Sequence, residues 1–252
     1  MECGIAIYNK DDLKLLNSFS NFSIAEIPGE MLDAENAEDD FHPGFVFHVR
    51  ELLGRSIISE LPEAPFRVRR EFLNLLEKRC EVMVQNEMPI ATLTPDLGRA
   101  VTDKKYAETL RDILLCIAGI VSRHEIDIRF ELRLPENFDR ALQATWDFLH
   151  SNTLFYKLLL DFHPHEHGSL DILGAAAEKF PFNRDSWRIS FEVASCNYLS
   201  VEVVKRVMQI SRPGGWEKDF MIFAPGNGTD SENYFSLDKL AGECCKKELT
   251  NE

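Results

Sequence analysis

Three carboxylates in the chain follow one local pattern, and they have the clearest capacity for chemistry. Glu131, Asp161 and Glu192 each lie late in a short β-rich segment, after a cation on the same segment. Such acids can move protons as general acids or bases, and their oxygens can bind a divalent cation. Two histidines, His163 and His165, follow the second acid and add imidazole nitrogen as a further type of ligand. The spacing therefore indicates a polar site built from neighbouring segments.

These acids belong to a chain in which β-rich and helical segments alternate. This order is typical of a parallel sheet covered by helices, and eight strands with a final helix predict an α/β fold, a (β/α)8 TIM barrel. We expect residues 1–252 to form it as a single domain, with an irregular connection over residues 51–64. The predicted strands are 4–8, 22–27, 45–50, 89–94, 126–134, 155–163, 187–195 and 219–224, and the predicted helices are 12–19, 30–40 (short), 65–85, 106–124, 137–150, 169–180, 200–211 and 231–249.

Strand alternation divides the acid-bearing segments into two rows of side chains. One row is apolar and suits contact with covering helices, so the charged row is left for the barrel interior. Substrates of this fold enter at the C-terminal ends of the strands, which places the acids nearer the mouth than the cations. The same charges also allow a second interpretation, a buried ion-pair network without ligand. The charged rows contain Arg129, Glu131 and Arg133, then Lys157, Asp161 and His163, then Arg188 and Glu192.

Other strands offer weaker candidates at their C-terminal ends. They are polar residues that would face the same mouth. A separate candidate is the loop FAPGNGTDSENYF, which has glycines before a helix start and either cradles a phosphate or forms a plain turn. The candidates are Glu26, His48, Arg50, Thr94 and Asp96.

Composition excludes several other classes of protein. A formal net charge of −14 disfavours binding to nucleic acid, whose phosphates are held chiefly by Lys and Arg. No segment approaches the length of a membrane span and no signal peptide is evident, which predicts a cytoplasmic protein without membrane attachment. The six cysteines include no C-x-x-C pair, so a cysteine zinc site is not expected, and three lie in apolar segments where reduced thiols usually pack as small core residues.

The segments IRFELRLP, LLLDFHPHEHG and ISFEVAS resemble the acid-bearing strands of the xylose isomerase-like barrels, which include sugar-phosphate isomerases and epimerases. The resemblance implies a divalent metal (Mn, Mg, Co or Zn) bound by Glu131, Asp161, one histidine of the HPHEH loop and Glu192. It also implies that Glu131 and Glu192 move a proton beside a sugar carbonyl. The substrate would be a small carbohydrate-like molecule, with Arg133, Lys157, Arg188, His48 and Trp216 as substrate-binding residues.

Departures from that family pattern leave other functions open. The eighth strand, DFMIFAPG, ends without an acid or histidine, Glu192 lies where the group often has a histidine, and Asp161 is followed by histidines at 163 and 165 instead of the usual D-x-x-H. The first alternative is therefore a divergent barrel that lacks the complete metal site and serves as a ligand-binding or interaction module. A metal-dependent hydrolase or lyase is the second, because a fold does not determine a reaction.

Overall fold

A computed structural model describes residues 2–33, 41, 43–133, 147–148, 157–162, 171, 189–192, 201–211, 220–225 and 230–245. Within these residues, each of the eight predicted strands has an observed counterpart, so the alternation of sequence correctly predicted the strand positions. The strands are β1 Glu2–Ala6, β2 Ile24–Pro28, β3 Val46–Arg50, β4 Ile90–Leu93, β5 Asp127–Arg133, β6 Lys157–Phe162, β7 Ile189–Glu192 and β8 Phe220–Ala224.

The helices agree with prediction less uniformly than the strands. The connection over residues 51–64 is not wholly irregular as predicted, because it contains a six-residue helix that is too short for periodicity to reveal. The acidic connection after β2 begins with a 3-10 turn, Gly29–Asp33. The helices predicted at 137–150 and 169–180 lie largely outside the described residues. The described α-helices are α1 Lys10–Leu13, α2 Arg55–Glu60, α3 Phe66–Gln85, α4 Leu97–Thr102, α5 Lys104–Arg123, α6 Val201–Ser211 and α7 Ser231–Cys245.

The chain forms two compact units, of which the first comprises Met1–Glu26, His42–Val46 and Leu159–Glu252. Its strands are parallel and pair in the order β2-β1-β8-β7-β6. Helix α7 packs on β1, and α6 packs on α7. The buried side chains of this unit include Ile5, Ile24 and Phe223, which form its apolar core.

The second unit comprises Ile27–Phe41 and Phe47–Leu158. Its strands β3, β4 and β5 are parallel neighbours, and α3 packs against α5, which also contacts β5. Helix α5 begins at the N-cap Asp103, whose carboxylate accepts the N–H of Tyr106. Apolar residues then recur every three or four positions and are buried, which is the stripe a helix needs to cover a sheet. They are Tyr106, Leu110, Ile113, Leu114, Ile117, Ile120 and Val121.

The described cysteines follow the expected core role only in part. Cys80 and Cys244 are buried free thiols, and burial raises the pKa of Cys80 to about 12, which makes it a poor nucleophile. Cys116 is exposed, and Cys3 in β1 is buried and disulfide-bonded, so neither of these two is a reduced core thiol. No helix among the described residues has the length and apolar character needed to cross a membrane.

Candidate functional site

Polar side chains from three neighbouring strands meet toward the C-terminal ends of β3, β4 and β5. Glu51 directly follows β3, Thr92 and Thr94 lie at the end of β4, and Glu131 lies in the second half of β5. Thr92 is in register with Arg129, two residues before Glu131, so strand alternation gives all three positions the same face. We call Glu51, Thr92, Thr94 and Glu131 the strand-end cluster.

Thr92 lies at the centre of this cluster and is fully buried. Its hydroxyl accepts the backbone N–H of Glu51 at 2.9 Å and donates toward Oε2 of Glu131 at 3.4 Å. Its carbonyl accepts the N–H of Leu52 at 2.9 Å. One residue of β4 therefore holds the start of the connection after β3 and contacts the acid of β5.

Glu51 adopts a backbone conformation that is unusual for a residue other than glycine, with φ of +49°. This left-handed conformation costs on the order of 1 kcal/mol and persists only where surrounding contacts fix it. Here Thr92 binds the Glu51 N–H, and the hydroxyl of Thr94 donates to Oε1 of Glu51 at 3.3 Å. Glu51 and Glu131 are both half-buried residues. Both acids are therefore held in place while part of each remains accessible.

The connection after β3 is also held from the side of α3. Arg79, only 5% exposed, donates from Nε to Asp33 at 2.9 Å and from Nη2 to the same carboxylate at 2.5 Å. Its Nη1 donates to the carbonyl of Leu52. Gly29 permits this arrangement, because a Cβ at that position would lie 2.7 Å from the Leu52 oxygen. The turn that carries Glu51 is thus fixed on two sides.

On β5, the cation and the acid of the charged row differ in burial. Arg129 is buried and lies 3.6 Å from Asp127, one step further toward the start of the strand. Glu131, later on the strand, is half-buried. On β5, Arg129 therefore pairs with Asp127, an acid that the ion-pair interpretation of the sequence did not name.

The weaker candidates occupy different positions. His48 is 2% exposed in the middle of β3, and Glu26 is buried in β2. Asp96 accepts the N–H of Arg99 as the N-cap of α4, which is a structural role. Sequence reasoning overlooked Glu51 and Thr92. The available signal was position alone, because both lie at the C-terminal end of a predicted strand.

Comparisons with known proteins address the fold. The chain matches no protein-family model, and no similar sequence is found among curated proteins. Similar solved structures include D-psicose 3-epimerase from Clostridium cellulolyticum H10 with D-tagatose, at a TM-score of 0.61 and 13% identity over 97% of both chains. They also include 3-keto-D-glucoside 4-epimerase from E. coli (TM-score 0.67, 12% identity, 97% of this chain and 99% of that one).

The chain has the fold of these sugar epimerases. An IolI protein with a bound zinc atom is a further neighbour, at a TM-score of 0.56 and 12% identity over 98% of this chain and 96% of that one. The resemblance to the xylose isomerase-like group is thereby confirmed for the fold. At these identities the comparison shows fold and does not assign a reaction.

In this sugar-epimerase fold, the remaining predicted site residues are described only in part. Asp161 on β6 is in register with Ser190, and Glu192 on β7 is in register with Ala224. The side chains of these two acids are outside the described set, as are those of Arg133 and Lys157, and Arg188, His163, His165 and Trp216 lie wholly outside it. No group of three metal-binding side chains occurs among the described residues, which include one predicted ligand side chain, Glu131.

Proposed function

We propose that this protein is an isomerase or epimerase of a sugar or a related polyhydroxy compound. The single observation that carries the proposal is the strand-end cluster, in which the buried hydroxyl of Thr92 binds the backbone N–H of Glu51 and contacts the carboxylate of Glu131, in a chain with the fold of sugar epimerases. Parallel strands of this fold class place their reactive groups at the C-terminal ends. The cluster lies toward that end of β3, β4 and β5.

We further propose that the whole chain forms one closed (β/α)8 barrel. Both units support this, because every described strand pair is parallel and neighbours follow chain order, with β8 beside β1. Similarity to two epimerase structures over 97% of this chain supports it too. Closure would gather the C-terminal ends of the eight strands at one mouth.

The proposed mouth would contain carboxylates from three successive strands. Glu131, Asp161 and Glu192, with His163 or His165, supply oxygen and imidazole donors, a set that fits Mn²⁺, Mg²⁺, Co²⁺ or Zn²⁺. A bound ion would polarise the carbonyl and the neighbouring hydroxyl of a sugar. The equal parity of Asp161 and Glu192 in the β6–β7 register supports a shared face.

The reaction proposed for this site is proton transfer beside a carbonyl. One of the pair Glu131 and Glu192 takes the proton from the carbon next to the carbonyl, whose oxygen receives the electron pair. The other acid returns a proton, which gives the epimer when it comes from the opposite face. The proposed substrate-binding residues are Arg133, Lys157, Arg188, Trp216 and, earlier on its strand, His48.

Exchange of substrate hydrogen with solvent tests this proposal without knowledge of the natural sugar. The purified protein is incubated in D₂O with D-psicose, D-tagatose or D-fructose and with each of the four metals, and deuterium beside the carbonyl is measured by NMR. We expect exchange with at least one pair of sugar and metal. We also expect exchange to be lost in Glu131→Gln and Glu192→Gln.

Metal binding supplies the complementary arm of this test. Wild type is expected to bind one of the four ions, and Asp161→Asn is expected to weaken that binding. A folded wild-type protein that binds none of the ions and exchanges no hydrogen would overturn the proposal. In that case, binding of a sugar without exchange would favour the ligand-binding alternative.

A further inference from the structure

The buried hydroxyl of Thr92 contacts residues from both neighbouring strands of β4: Glu51, which follows β3, and Glu131 of β5. The hydroxyl of Thr92 lies 2.9 Å from the backbone nitrogen of Glu51 and 3.4 Å from Oε2 of Glu131. A backbone N–H can only donate, so it uses a lone pair of the hydroxyl. The hydroxyl has one proton, and that proton is consequently directed toward Glu131.

We infer that Thr92 is a positioning residue for Glu131. The inference rests on the proposed function, because that function gives Glu131 its chemical role. A carboxylate that takes a proton or binds a metal must approach in a narrow range of directions, and small misplacements lower the rate strongly. A fixed donor to Oε2 restricts rotation of the carboxylate. Thr92 acts through Glu131 and touches no substrate.

Thr92 suits this role because its own position is held by backbone groups. Its hydroxyl accepts from Glu51 and its carbonyl accepts from Leu52, both at 2.9 Å, and its side chain is fully buried. The distance to Glu131 is longer than the 2.7–2.8 Å typical of O–H···O bonds. Catalytic hydrogen bonds often shorten when substrate binds. Glu131 would then move against a hydroxyl that stays in place.

The residues around Thr92 favour a positioning role for its hydroxyl over a role in packing alone. Glu51 retains its strained φ of +49° while its N–H points at the Thr92 hydroxyl. Arg79 donates to the carbonyl of the next residue, Leu52. The hydroxyl therefore connects the fixed connection after β3 to the acid of β5.

Two substitutions separate the hydroxyl from the volume of the side chain. Thr92→Val keeps the shape and removes the hydroxyl, and Thr92→Ser keeps the hydroxyl. For Thr92→Val we expect kcat of hydrogen exchange to fall about tenfold, as for loss of a hydrogen bond to a charged group, with little change in KM. Affinity for Mn²⁺ alone, measured by calorimetry, should fall about tenfold. Thr92→Ser should restore most of both.

Thr109→Val is the matched control. Its hydroxyl bonds the carbonyl of Lys105 on the exposed face of α5, at 3.1 Å. This variant loses a threonine hydroxyl that bonds within α5 and not to the strand-end cluster. We therefore expect wild-type kcat and Mn²⁺ affinity. Melting temperatures of all variants are measured, and assays are run well below the lowest of them.

The outcomes distinguish failure of this inference from failure of the proposed function. A Thr92→Val protein with a lower melting temperature and wild-type kcat and Mn²⁺ affinity would show a structural role only and overturn the inference. A folded wild-type protein that binds none of the four ions and shows no exchange would overturn the proposed function. Crystal structures of wild type and Thr92→Val then decide the inference: we expect the Glu131 carboxylate to turn away from its wild-type position, and an unchanged carboxylate would refute it.

Discussion

Two polar clusters of this protein use their carboxylates in different ways. In the first unit, Asp238 of α7 accepts the backbone N–H groups of Ser20 at 3.2 Å and Asn21 at 2.9 Å, and also the side-chain amide of Asn21 at 3.0 Å. In the second unit, threonine hydroxyls of the strand-end cluster donate to its acids, Thr92 to Glu131 and Thr94 to Glu51. Asp238 is buried, whereas Glu51 and Glu131 are half-buried.

This difference separates a structural anchor from a candidate site. The carboxylate oxygens of Asp238 accept hydrogen bonds from the loop that contains Ser20 and Asn21, which fixes α7 against that loop. Gly242 allows this close approach, because a Cβ there would lie 2.5 Å from Asn21 Oδ1. The strand-end acids instead accept a bond from a threonine hydroxyl, and both residues are half-buried. Burial and the type of donor together distinguish the two, although the residues are of the same chemical type.

The largest expected effect on activity comes from Glu131→Gln. The change removes one of the two proposed acid/base groups while keeping the side-chain shape, so hydrogen exchange should fall about 100- to 10,000-fold. The free energy of unfolding, measured by urea denaturation, should change by about 1 kcal/mol or less. An active Glu131→Gln protein would remove the distinction drawn between the two clusters.

Asp238→Ala should have the opposite signature. It leaves two backbone N–H groups without their carboxylate, and we expect the free energy of unfolding to fall by about 2–4 kcal/mol. The kcat of the folded protein should stay at the wild-type value, as measured under conditions where the variant is folded. Asp238→Asn, which keeps one acceptor oxygen, should lose less. A drop in kcat with unchanged stability would contradict the structural role.

Gly29→Ala tests the close backbone contact between Gly29 and the turn that carries Glu51. A Cβ would lie 2.7 Å from the Leu52 oxygen and 2.8 Å from the Glu51 oxygen, both backbone atoms, so the turn must shift. We expect a loss of about 1–3 kcal/mol in the free energy of unfolding and a lower kcat. Gly119→Ala is the matched control, since nothing lies within 4 Å of its Cβ in α5. The free energy of unfolding of Gly119→Ala should rise by about 0.5–1 kcal/mol, because alanine favours a helix more than glycine does.

Glu77→Gln tests a surface group that belongs to neither cluster and has the smallest expected effect. The hydrogen bond from His124, at 3.0 Å, is the main cause that lowers the pKa of Glu77. A lowered pKa in the folded state stabilises the protein above the ordinary pKa, and this contribution is lost as pH falls through the lowered value. Urea denaturation should therefore separate wild type and Glu77→Gln slightly at pH 7 and not at strongly acidic pH. Equal separation at both pH values would contradict this origin.

The sequence predicted the strands, and it did not indicate two residues of the strand-end cluster, Thr92 and Glu51. Alternation along β5 placed Arg129 and Glu131 on one row, since that pattern is local to seven residues. Thr92 was hidden because a β-branched residue inside PIATLT is an ordinary strand former, and its role follows from register with β5. Glu51 was hidden because glutamate rarely adopts positive φ and no local pattern announces it. Both roles depend on contacts between segments distant in the sequence, and no local sequence pattern predicts such contacts.

A crystal structure of the protein with Mn²⁺ and D-tagatose tests the central claim most directly. The account predicts the ion within ligand distance of Glu131, about 2.0–2.2 Å for a carboxylate oxygen. It also predicts the sugar at the C-terminal ends of the strands and a Thr92 hydroxyl closer to Glu131 than 3.4 Å. Ion and sugar bound elsewhere, with the strand-end cluster unchanged, would contradict it.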